Sequence, residues 1–386
     1  MSLPGTAVRV DVLEQQLQSA LNTRSTFKHC TPTDASKTIN NVHSVKLQVA
    51  WNQVDAVALP TNLSIHTAPD RVANGHHNGA TENGSNNDSR ALAALYNEKL
   101  FHEMVFYEKL QLCVPHAFVS LRNDNEMVLI LEDAASSSLP AAQSLNMTQL
   151  TQVAEDLANL HSFCVSLLDP ETKKKFAENG NMVRAANAML FEIELKDAAE
   201  ELQTEYPEHF PRLSHQIEKL FSSLDDVNYG YEAIEQLPQV LCHGNLSPTS
   251  LSFDATTGQL TAISGWDSIH YGNVVEDFVH LLLTSVSPQE RRGQYGKLLK
   301  HYYYRLVENM SRAPKFSLQT LKEAFRKLLK FGALTTLTHF ARELRHTADH
   351  DEKMQLIARC QAAFEDAIAI EKGTYESEDD DCFFIK

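Results

Sequence analysis

An α+β fold, with strands gathered ahead of helices, is what the sequence predicts, and three patterns predict it. Val45, Leu47, Val49 and Trp51 alternate with mostly polar neighbours, the two-residue period of a half-buried strand. From about 281 to 372 apolar residues recur instead at three- and four-residue spacing, the period of helices packed on a core. Between these regions the stretch 251–263 alternates, turns through 254–258 and alternates again, which reads as a hairpin.

Residues 59–66 (LPTNLSIH) alternate like the strand before them, and 127–133 (MVLILED) is a continuous apolar run of buried-strand length. Residues 67–90 are rich in Asn, Gly and Ser and hold almost no large apolar side chain, so they read as a disordered loop. The neighbouring pair His76 and His77 has no further ligand at metal-binding spacing. A helix follows over 97–107, and another carries Leu157, Leu160 and His161, where a buried structural histidine is the expected role. Tyr302, Tyr303 and Tyr304 are consecutive in the 295–310 helix and cannot all face one core. Ser317 can cap a helix through Leu321, Phe325, Leu328 and Phe331, and Gly373 stands where the last helix would end. The acidic segment 376–381 then leads into Phe383, Phe384 and Ile385.

His243-Gly244-Asn245-Leu246-Ser247-Pro248-Thr249-Ser250, the hairpin, and then Gly265-Trp266-Asp267, His270, Gly272, Glu276 and Asp277 resemble one family closely. It is the choline kinase-like and aminoglycoside phosphotransferase-like group, in particular its ecdysteroid kinase-like, CHK-type branch. The resemblance covers most of the chain and is most specific over 241–282. It implies a bilobal protein-kinase-like fold. Residues 1–132 would form an N-lobe of antiparallel strands with one long helix, 133–372 a mainly helical C-lobe, and 373–386 an acidic tail.

The resemblance also implies which positions should carry phosphoryl transfer, and four of them are changed. The slot of the base that accepts the substrate proton holds Asn245, and an amide has no useful basicity near neutral pH. Ser250 replaces a metal-binding Asn. Gly265 replaces the Asp that would hold magnesium between the nucleotide phosphates. His66 replaces the nucleotide-binding Lys, and residues 30–38 (CTPTDASKT), where a phosphate-covering loop would lie, contain no glycine. Glu103 occupies the helix Glu position, either paired with a protonated His66 or solvating a helix face. His243, Gly244, Trp266 and Asp277 remain as framework. Loss of a base alone typically costs ~10²–10⁴ in rate, and metal ligands several kcal/mol more.

Composition bounds the rest. A net charge of −16 disfavours a general nucleic-acid binder, which needs a basic face. The short basic run Lys173-Lys174-Lys175, flanked by Glu171 and Glu178, reads as a solvated helix face. The six cysteines show no metal-ligand spacing and read as free thiols of a reducing compartment, Cys242 as a buried strand thiol. No apolar run approaches a membrane span, nor is there a signal-peptide core, so a cytoplasmic protein with nuclear access is expected.

The sequence thus predicts a catalytically inactive kinase-like protein, without cofactor or metal, acting as a protein-interaction scaffold or regulator. Phe383, Phe384 and Ile385 are candidate partner contacts, with packing back onto the chain itself as the other reading. Ser377, set among acidic residues, is a candidate phosphorylation site. Two alternatives stay open. The cleft could serve as a small-molecule or nucleotide sensor, or weak transfer to a small hydroxyl substrate could persist through Asp267 or Asp254, the latter more simply a turn residue. In an extended strand Asp267 would share a face with Gly265, roughly 6–7 Å along.

Overall fold

The computed structural model describes residues 2–37, 41–69, 82–122, 126–134, 138–222, 237–310, 312 and 314–375. The chain forms two units, and the α+β expectation holds.

The first unit is built on a five-stranded antiparallel sheet in the order β1-β2-β3-β5-β4. Its strands are β1 (Thr26–Lys37), β2 (His43–Asn52), β3 (Asn62–Pro69), β4 (Ala117–Arg122) and β5 (Glu126–Glu132). Alternation sends each strand's side chains to opposite faces. Val45, Leu47 and Val49 of β2, with Leu63 and Ile65 of β3 and Val128 and Ile130 of β5, pack against Leu13 and Leu17 of helix α1 (Val10–Leu21). The other face carries Ala68, Met127, Leu129 and Leu131 and meets Ala91, Ala94 and Leu95 of helix α2 (Glu82–Tyr107). His66 shares the parity of Ala68, so it too faces α2.

Two expectations for this region are corrected. The 67–90 loop is shorter than its composition suggests, because Thr67 and Ala68 are buried in β3 and α2 begins at Glu82; residues 70–81, with His76 and His77, lie outside the described residues. Most of 30–38 is strand β1, paired to β2 with irregularities at Phe27/His29 and Pro32/Asp34, not a loop.

Nor does the first unit end at residue 132. It comprises Met1–Ser137 together with Glu171–Ala186 and Ala262–His270. The later segments are held by specific contacts: the Trp266 indole stacks on Phe101 with centroids 4.1 Å apart. The buried Asn97 amide donates to the carbonyls of Ile269 (3.3 Å) and Phe176 (3.5 Å).

The second unit is mainly helical: α3 (Met147–Ser166), the later part of α4 (Pro170–Glu205), α5 (Leu213–Ser222), α6 (Glu276–Ser285), α7 (Pro288–Asn309), α8 (Leu318–His346) and α9 (His350–Glu371). Short ladders join β6 (Gln239–Cys242) to β9 (His270–Asn273) and β7 (Leu251–Phe253) to β8 (Leu260–Ile263). Ser317 caps α8 through Thr320 as expected. Of the three tyrosines, Tyr302 is fully buried and Tyr304 exposed. Arg291 and Asp366 form a buried pair at 2.5 Å, with Arg292 Nε at 2.8 Å from the second Asp366 oxygen. Asp366→Ala, which strands a buried guanidinium, is expected to cost about 3–5 kcal/mol, whereas Arg292→Ala costs ~1 kcal/mol or less. Urea midpoints of the two variants check the difference.

Candidate functional site

The residues singled out in the sequence divide between the two units. In the first, β3 presents His66 to α2, where its Nδ1 lies 2.8 Å from Glu98 Oε2 and its Nε2 2.9 Å from Ser64 Oγ. Glu98 is wholly buried. Of the two roles open to Glu103, the pairing with His66 falls to Glu98, and Glu103 takes the other, on the helix face. Five residues along a helix is about 140° of rotation, which turns Glu103 outward to pair with Lys99 at 3.4 Å. Burial alone would lower the His66 pKa. The Glu98 carboxylate, with smaller contributions from Asp267 and Asp133, outweighs it and raises the pKa above the ordinary histidine value. Asp133, at the end of β5, also lies 3.8 Å from Lys46 Nζ. His102, one turn along α2 from Glu98, is buried and held neutral, its pKa pushed down to about 4 by burial.

Gly265 follows β8 with φ 81° and ψ 48°, a left-handed conformation that side chains rarely adopt, although a Cβ there would meet nothing within 4 Å. Position 265 thus has room for a side chain, and the backbone is what favours glycine. Trp266, Asp267 and Ser268 then form a 3₁₀ turn instead of the extended strand assumed from sequence. The turn buries the Asp267 carboxylate near His66 and anchors Trp266 Nε1–H on the Ile263 carbonyl at 2.7 Å.

In the second unit β6 delivers the loop His243–Ser250. Asp277, in the first turn of α6 and 1% exposed, accepts the backbone N–H of His243 (2.8 Å) and of Gly244 (3.0 Å) on its two carboxylate oxygens. Asn245 N–H donates to His243 Nδ1 (3.2 Å), and Asn245 is half-buried. Ser250 is turned into its own loop: its hydroxyl donates to Ser247 O (2.8 Å) and accepts from Ser247 N–H (3.1 Å). Gly272 suits a close approach, since a Cβ there would meet Cys242 Sγ at 2.9 Å and press on the Glu276 carboxylate.

Several sequence readings find their places here. Asp254 is a turn residue, its Oδ1 accepting Thr257 N–H (2.7 Å) and Thr256 N–H (3.0 Å). His161 is buried against Tyr302 Oη at 2.8 Å, with burial pushing its pKa down to about 3. Lys174 and Lys175 pair along α4 with Glu178 and Glu171 at the surface. Ser377, Phe383, Phe384 and Ile385 lie outside the described residues. Among the described residues no group of three or more His, Cys, Asp and Glu is placed to hold a metal, and no helix is long and apolar enough to cross a membrane.

The family model DUF1679, described as "Uncharacterized oxidoreductase dhs-27", matches residues 96–373. A Caenorhabditis elegans protein of that same description is 26% identical over 198 residues, 49% of this chain and 23% of its own length. A second C. elegans relative, "Uncharacterized kinase-like protein D1044.1", is 24% identical over 241 residues, 61% of this chain and 61% of its own. The chain thus spans less than two thirds of either relative. Among solved structures, choline kinase from Cryptosporidium parvum Iowa II aligns with a TM-score of 0.50 at 11% identity, over 90% of this chain and 91% of that one. That likeness is one of fold.

Proposed function

The chain belongs to the DUF1679 family and has a choline kinase-like fold, and from that premise we propose that it is a catalytically inactive member acting as a protein-interaction scaffold or regulator. The observation that carries this reading is Gly265: the metal-binding position implied by the family resemblance has no side chain, and no rotamer or protonation change can supply a ligand. Ser250 supports it, because both hydrogen-bonding roles of its hydroxyl are used within the loop. So does His66, whose ring nitrogens are engaged by Glu98 and Ser64, and whose surroundings include the Asp133 and Asp267 carboxylates. Carboxylates in that number oppose a polyphosphate. A framework kept without its chemistry fits a binding role, for which the 376–386 tail, with Phe383, Phe384 and Ile385, supplies an anchor. We place the protein in the cytoplasm on its composition.

A second reading, weak phosphoryl transfer, draws on the buried Asp267 carboxylate two residues from Gly265. A thermal-shift titration with ATP, ADP and GTP, with and without magnesium, separates the two. The inactive reading expects no nucleotide to raise Tm in either condition, since a ligand that binds only the folded form must stabilise it. A magnesium-dependent rise removed by Asp267→Asn would sink it in favour of transfer. Proteins recovered with the intact chain but not with Phe383→Ala/Phe384→Ala would identify the tail as the anchor.

A further inference from the structure

A cavity of about 350 Å³ opens in the first unit, away from His66, between α2 and the edge strand β4. We propose that it binds a small amphipathic organic anion, an apolar body bearing one carboxylate or sulfonate. The inference concerns this cavity alone and stands apart from the nucleotide question.

Its position follows from the fold. On α2, Ser89, Leu92, Ala93, Tyr96 and Lys99 recur at three- and four-residue spacing and form one stripe. This stripe meets β4 at the margin of the sheet, where no further strand extends the cover. Leu92 and Ala93 on the helix side, and Met127 on the sheet side, supply apolar lining, while the Leu121 side chain packs on the other face of the sheet. The volume lies at the small end of the range of organic-ligand sites.

Charge selects the ligand class. In a chain of net charge −16, with 50 acidic residues against 34 basic ones, the described residues that line this cavity include no carboxylate, and the two charged ones, Lys99 and Arg122, are cations. They come from different elements, helix and strand, and Arg122, like Lys99, already has an interaction within the chain that a ligand head group would share. Lys99 Nζ is held over the Tyr96 ring, 5.7 Å from its centroid, and touches Glu103 at 3.4 Å. A ligand head group would share that ammonium with the half-exposed Glu103, an interaction worth little at the surface. The pairing of apolar lining with two cationic side chains distinguishes the site from a simple phosphate patch, which needs no apolar lining, and from a purely apolar void, which needs no charge.

The test uses the full chain and 8-anilinonaphthalene-1-sulfonate as fluorescent probe, with decanoate as competitor and decyltrimethylammonium as the cationic control. Expected are one saturable site per chain, displacement by decanoate and none by the cation. Lys99→Glu and Arg122→Glu should each weaken probe binding about tenfold or more. Ser120→Trp, at an exposed β4 position lining the cavity, should block binding without altering either charge, with the thermal melt reporting that the variant folds. Probe affinity unchanged in Ser120→Trp, or equal displacement by decanoate and the cation, overturns the proposal.

Discussion

Lowering the pH from 7 to 5 should reduce the free energy of unfolding by several kcal/mol. His102, His161 and His280 are buried, and burial pushes their pKa values down to about 4, about 3 and about 4, so each ring is neutral in the native state. His339 is shifted the same way by burial and by Arg342. Unfolded, each ring titrates near its ordinary value, roughly 6.5. Between that value and the folded one the unfolded chain binds more protons, so stability rises with pH and is lost as pH falls below about 6.5. At pH 5 each ring contributes a loss of up to about 2 kcal/mol. His66 works in the opposite sense. Its raised folded pKa means that the pairing with Glu98 is at full strength below about 6.5 and fades as pH rises through the folded value. Three or four rings against one leave acid destabilisation as the net result. Urea midpoints at pH 7, 6 and 5 measure it, and His161→Gln should flatten the slope by about one ring's share. A midpoint that does not move between pH 7 and 5 would contradict the assignment of neutral buried rings.

Asp277→Ala should destabilise the second unit by about 2–5 kcal/mol. Its carboxylate satisfies two backbone N–H groups, His243 and Gly244, in a setting where the residue is 1% exposed. Truncation leaves both donors without that acceptor, and an unsatisfied buried donor costs about 1–3 kcal/mol. Asp277→Asn retains one oxygen but turns an N–H₂ toward the other donor, so an intermediate loss is expected. Thermal melts rank the variants, and cleavage within 243–250 by a protease at low dose locates the damage. Equal Tm values for wild type and Asp277→Ala would show that the loop is held by other contacts, such as the His280 Nδ1–H bond to Leu246 O.

Much of this was legible in the chain. Strands β2, β3 and β5 announced themselves by alternation or by an unbroken apolar run, and the loop framework by His243, Gly244, Trp266 and Asp277. The helix α2 was seen only from residue 97, because its first turns are spelled in Asn, Ser and Asp, residues that by composition speak for a loop. Glu98 was missed in favour of Glu103, although a signal was present. Ala91, Ala94, Leu95, Glu98, Phe101 and His102 lie at three- and four-residue spacing, and all are buried on one face, so the acid in that stripe is the inward one. The carboxylates near His66 were not legible, since Asp133 and Asp267 are brought to β3 by contacts between residues far apart in sequence. The positive φ at Gly265 could not be read from the sequence, because glycine is compatible with either sign.

The stack of Trp266 on Phe101, and the bond from Asn97 to Ile269, also set a schedule for synthesis. The sheet and α2 leave the ribosome well before residue 262, yet a residue 172 positions downstream accepts the Asn97 amide. Closing so long a loop delays the final contacts. The N-terminal portion must therefore wait, with the Phe101 ring lacking its indole cover, while more than a hundred further residues are added. A messenger truncated anywhere ahead of that point encodes a sheet that never receives its last piece.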